Sequence, residues 1–200
     1  MLRTTTLIAL IVLAPMAIAA KPSNPSKTKP IAKPAAGMDM SSAMSDDAVI
    51  KSAMSAAPPA VAKGATIIKA GANGTMTELR KGSNGFTCMA DNPATPGPDP
   101  MCGDANAMAW AQAWIEHKTP PANKVGFMYM LAGGTDASNT DPYAQKPTAG
   151  NNWVSTGPHV MIVGAMPMMQ GYPESPTPNT TEPYVMWAGT PYAHLMIPMR

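Results

Sequence analysis

Apolar and polar positions recur at different periods along the chain, and those periods divide it into elements. Val49, Ile50, Met54 and Ala57 fall near one face of a helix that Asp46-Asp47 would cap and Pro58-Pro59 would stop. Three short strand patterns follow, at Ala65–Ala70, Thr75–Arg80 and Phe86–Met89. Asn73-Gly74 and Asn84-Gly85 between them are turn signals of the hairpin type. A second helix is expected over about 100–117. Ala107, Trp110, Ala111 and Trp114 recur there at helical spacing, Asp99-Pro100 reads as cap and first turn, and Thr119-Pro120-Pro121 ends it. His117 would sit at its C-terminal end, where a cation favours the helix dipole.

The second half reads differently. Val125–Leu131 is apolar on both faces, as a central strand is. Residues 133–156 form a long polar stretch, and unstructured loops of that length are often functional. Strand patterns return at His159–Val163, Tyr184–Trp187 and His194–Ile197. The order predicts an α+β fold, a single domain with a mainly antiparallel sheet and two helices.

The first residues belong to no such pattern. Arg3 precedes an apolar run of about a dozen residues that ends in Ala17-Ile18-Ala19-Ala20. That run is shorter than the ~20 residues a membrane-crossing helix needs, and Pro15 interrupts it. Residues 1–19 are therefore expected to be a signal peptide, residues 20–45 a disordered linker rich in Pro, Ser and Lys, and residues 46–200 the globular domain. No later stretch is apolar enough for a transmembrane segment, so the expected address is periplasmic or secreted.

Charge narrows the partners. Loss of Arg3 with the signal brings 14 basic residues to 13, against 12 acidic ones. A near-neutral chain lacks the basic face that phosphate requires, so no nucleic acid partner is expected. Charged residues make up 13% of the chain, about half the usual ~25%, leaving Thr, Ser, Asn and Pro to build much of the surface. Cys88 and Cys102 read as a disulfide in an oxidising compartment, stapling a loop crowded with Pro, Gly and Asp. The alternative is a reactive thiol at Cys102, if that residue lies in the first turn of a helix.

Chemistry concentrates in two echoing segments. His159-Val160-Met161-Ile162 and His194-Leu195-Met196-Ile197 each carry His-x-Met-Ile. In a strand, residues i and i+2 share a face, so each His points with its Met. Imidazole nitrogen and thioether sulfur form a soft ligand set, suited to copper and above all Cu(I). His159, Met161, His194 and Met196 are the candidate metal ligands. Met is also a flexible core filler, and a Met-rich core would show the same alternation. An acid/base enzyme would instead pair His159 or His194 with Asp136 or Asp141. A third class is a module for a small ligand or an envelope partner, framed by Tyr143, Trp153 and the Pro-rich loop 170–183. Asn179-Thr180-Thr181 matches the glycosylation acceptor pattern by chance.

The stretches Thr156-Gly157-Pro158-His159-Val160-Met161-Ile162-Val163 and Gly189-Thr190-Pro191-Tyr192-Ala193-His194-Leu195-Met196-Ile197-Pro198 resemble a family of uncharacterised exported bacterial proteins, over about Cys88 to the C-terminus. The resemblance implies a bacterial envelope or secreted setting and carries no activity, cofactor or site residue.

The reading is of a non-catalytic binding module, with a small enzyme and a structural envelope protein as alternatives.

Overall fold

A computed structural model describes residues 44–71 and 75–199. The expected signal peptide, nearly all of the expected linker and the Asn73-Gly74 turn lie outside these described residues.

The chain forms one sheet-rich domain. Ten strands occur in the order β1 (Thr66–Ala70), β2 (Met76–Arg80), β3 (Phe86–Met89), β4 (Met101–Asp104), β5 (Gly126–Met130), β6 (Ala137–Ser138), β7 (Trp153–Val154), β8 (His159–Val163), β9 (Tyr184–Met186) and β10 (His194–Pro198). Eight of them make a sheet ordered β2-β1-β3-β4-β5-β8-β10-β9, and β6 and β7 make a small separate ribbon. All pairings are antiparallel except β1 with β3. The helices are α1 (Asp46–Met54), α2 (Pro59–Ala62) and α3 (Ala105–Ile115).

Several expectations are corrected. Among the described residues there are three α-helices rather than two. Pro58-Pro59, read as a stop, also starts α2, because proline suits the first helical position. The cap of α1 is Ser45, whose Oγ accepts from Ala48 N–H. The second helix begins at Ala105 rather than near 100. Asp104 is its cap, accepting from Ala107 N–H at 2.8 Å while its second oxygen accepts from Phe127 N–H at 3.1 Å. One carboxylate thus sets both the start of α3 and its position on β5. Asp99 serves the preceding loop instead, accepting from Asn92 N–H and the Thr95 hydroxyl.

β3 does not fold back on β2 after the Asn84-Gly85 turn. Gly82 crosses tight under the start of β1, where a side chain would overlap Thr66 N, and its own N–H donates to Thr66 Oγ1. The strand therefore enters on the other side of β1 and runs parallel to it. The stretch 133–156 is also not structureless, since β6 and β7 pair across it.

Cys88 and Cys102 sit directly opposite each other on β3 and β4, joined by a disulfide with Cα atoms 3.9 Å apart. Cys102 lies in a strand rather than a helix turn. Both cysteines are fully buried in a cluster with Ile67, Ala53 of α1 and Ala56 in the turn that follows it. The opposite face is covered by α3, whose Ala107, Trp110 and Ala111 pack on Met128, Met161 and Met196. Gly126 lets α3 come down on β5, since a Cβ there would overlap the Ala107 backbone.

Replacing both cysteines by serine should lower stability by about 3 kcal/mol, the loop-closure entropy of a bridge of this span. Urea denaturation would read it, and an unchanged midpoint would contradict the stapling role.

Candidate functional site

The antiparallel register of β5, β8, β10 and β9 writes three rows of side chains on the α3 face. The first is Met130 and His159. The second is Met128, Met161, Met196 and Tyr184. The third is Gly126, Val163, His194 and Met186. Met161 and Met196 are direct cross-strand partners, whose Cβ atoms lie about 5 Å apart in such pairs. His159 and His194 stand two rows apart, on either side of this methionine pair. Their offset of four positions corresponds to ~13 Å between backbone sites at ~3.3 Å per residue.

These four side chains line one cavity of about 670 Å³, roofed by α3 and by the loops around 91–99 and 134–156. Sequence reasoning singled them out and missed the other side chains on the same walls: Met128, Met130 and Met186 with Trp110 and Trp187. The signal for Met128 and Met130 was present, since they alternate in a strand as the His-x-Met pairs do. Met186 required knowing that β9 lies beside β10.

Both histidines are fixed in one tautomer. His159 Nδ1 is 2.7 Å from Gly157 O, and His194 Nδ1 is 2.9 Å from Tyr192 O. A carbonyl only accepts, so Nδ1 carries the proton in each ring and Nε2 keeps its lone pair. Burial holds both rings below the ordinary imidazole range, against the opposing pull of these carbonyls. His194, 1% exposed, is held at about 4, with His159 adding a small further push. Both rings are neutral at pH 7. Neither has a carboxylate partner, and among the described residues the ion pairs are Lys69–Asp46 and Lys118–Glu116.

The surroundings leave each ring little freedom. His194 meets Trp110 and Trp187 edge-on, with centroids 5.3 and 4.9 Å away. Trp187 is anchored by its indole N–H to Ser138 O at 2.8 Å, tying the 134–156 loop to the end of β9. Behind His159 lies Gly134, where a Cβ would strike Thr156 Oγ1 and come within 2.6 Å of His159 Cε1. Tyr143 and Trp153, read as framing a ligand or partner surface, are half-buried. Tyr143 stacks on His117 at 4.0 Å and donates its hydroxyl to Trp114 O. His117 takes a left-handed backbone (φ 55°) just past α3.

No family model, curated protein or solved structure matches the chain.

Because the folded pKa of each buried histidine lies below its unfolded value, the unfolded chain binds more protons as pH falls. Stability is therefore full above about pH 6.5 and declines toward pH 4, with His194 contributing a loss on the order of 3 kcal/mol. Denaturant midpoints measured from pH 7 to 4 would test this, and the slope should shrink in His194→Gln. Gly134→Ala should shift the His159 Cε1 proton resonance while leaving that of His117 in place.

Proposed function

We propose that this is an exported, non-catalytic binding protein that holds a soft metal ion, Cu(I), with the imidazoles of His159 and His194 and the thioethers of Met161 and Met196. One observation carries the reading. Two buried, neutral imidazoles are each pinned through Nδ1–H to a main-chain carbonyl, leaving both Nε2 lone pairs free on either side of a methionine pair. A metal-ligating histidine is ordinarily held in this way, its second nitrogen donating to an outer partner that fixes tautomer and orientation. Nitrogen and thioether donors with no carboxylate among them favour a soft monovalent ion over Ca²⁺, Mg²⁺ or Mn²⁺. The Cys88–Cys102 disulfide fits an oxidising compartment, where thiolate ligands would be lost and thioethers survive. The alternative of a His–carboxylate pair has less behind it, since the hydrogen-bond partners of these two rings among the described residues are main-chain carbonyls rather than Asp136 or Asp141.

The full chain titrated against a Cu(I)-specific competitor should bind one equivalent. The His159→Ala, His194→Ala double variant should lose more than the 10–100-fold that removal of an outer-shell partner costs. Met161→Leu with Met196→Leu separates ligation from packing, because such volume-conserving swaps usually cost under about 1.5 kcal/mol of stability. If that variant stays folded and keeps wild-type Cu(I) affinity, the thioethers are core filler and the proposed ligand set is wrong. Since His194 is held at about 4, protons compete weakly, and binding should persist at pH 5.

A further inference from the structure

The His/Met floor accounts for part of the cavity. A single ion displaces little more than a water, whose share of the liquid is about 30 Å³, whereas the cavity holds about 670 Å³. That volume falls among sites for small organic molecules, which run from about 300 to 1,000 Å³ and combine apolar walls with a few polar groups.

Two polar atoms on these walls also lie outside the metal's chemistry. Trp110 is 4% exposed, and its indole N–H meets no acceptor. An indole N–H only donates, so it cannot serve a cation. The Thr135 hydroxyl is likewise buried without a partner. Both residues line the cavity. Buried donors are almost always satisfied, and two unpaired ones on residues that line one cavity call for an acceptor brought against them from outside the chain.

The walls constrain what brings that acceptor. Trp110, Trp114, Trp153 and Trp187 line the space, and aromatic walls favour a flat partner. The charged side chains around it are Asp91, Asp99, Asp136 and Asp141 against Lys69. Lys69 is already engaged by Asp46 and by Met44 O. An anion would meet this excess of carboxylates unpaired.

We infer that the cavity beyond the His/Met floor binds a neutral, flat, mainly apolar organic molecule, whose carbonyl or ring acceptor takes hydrogen bonds from the Trp110 indole N–H and the Thr135 hydroxyl. The inference goes beyond the metal reading and does not depend on it.

Coumarin is a suitable probe, being flat and neutral, with a carbonyl acceptor and no soft donor for Cu(I). Calorimetric titration of the full chain should give saturable one-to-one binding. Coumarin-3-carboxylate should bind at least tenfold more weakly. Thr135→Val, which keeps the side-chain shape, and Trp110→Phe should each weaken coumarin severalfold. Should Trp110→Phe lose its fold by circular dichroism, Thr135→Val decides alone. Absence of saturable coumarin binding up to its solubility limit would overturn the inference. So would unchanged affinity in the folded variants, or equal affinity for the anion. Cu(I) titrations of the same preparations keep the two readings apart: coumarin bound without Cu(I) removes only the metal site, and the reverse removes only the organic ligand.

Discussion

Met161 stands opposite Met196 because β8 and β10 run antiparallel in one particular register, and the whole candidate site depends on that register. Side chains alternate faces with a period of two, so a slip of one residue would send His159, Met161, His194 and Met196 to the other side of the sheet. The chain resists the slip from both faces. On the far side, Val185 and Leu195 bury against Met169 and the half-buried Ile162. On the near side, Met128, Met161 and Met196 bury under α3. A slip would undo both packings at once.

The roof follows from the same economy of contact. Asp104 joins the first turn of α3 to the first pair of residues in β5, and Gly126 removes the side chain that would hold them apart. Asn106 adds a bond from its amide to Val125 O. α3 then lies close enough for Trp110 to reach His194 from above. The loop wall is anchored elsewhere, through Ser138, whose hydroxyl donates to Asn151 O and receives N–H groups from Thr140 and Asp141. Ser138 O takes the Trp187 indole, so the loop and the end of β9 form one structure.

Much of this was legible in local pattern. The strands β1, β3, β5, β8, β9 and β10 stand where alternation and apolar runs put them, because each has residues that must be buried, and β2 stands where its pattern put it although none of its residues is buried. The two His-x-Met pairs were visible because period two fixes their shared face. What misled were signals with two physical meanings. Asp99-Pro100 has the chemistry of a helix start, yet Cys88 holds Cys102 in a strand and moves the cap to Asp104. Asn84-Gly85 is a turn, but Gly82 redirects the chain to pair with β1. The convergence of two segments 35 positions apart was beyond local pattern, because it depends on which strand neighbours which. Gly134 and Trp187 drew no notice in the sequence for the same reason: their roles exist only against His159 and His194.

The neutrality of the two histidines bears on which cation such a floor can accept. Two imidazoles and two thioethers bring no negative charge, so an ion bound there keeps its full charge in a buried setting. The cost of burying an ion rises with the square of its charge in the continuum picture, and it is already of order 20 kcal/mol for a monovalent ion moved into a dry, low-dielectric medium. A divalent ion would face about four times that electrostatic burden with the same neutral ligands. It would ordinarily recruit carboxylates, and the aspartates of the cavity make no hydrogen bond or ion pair with either ring. A monovalent, polarisable ion suffers least and gains most from sulfur and nitrogen lone pairs, so charge and softness select the same ion.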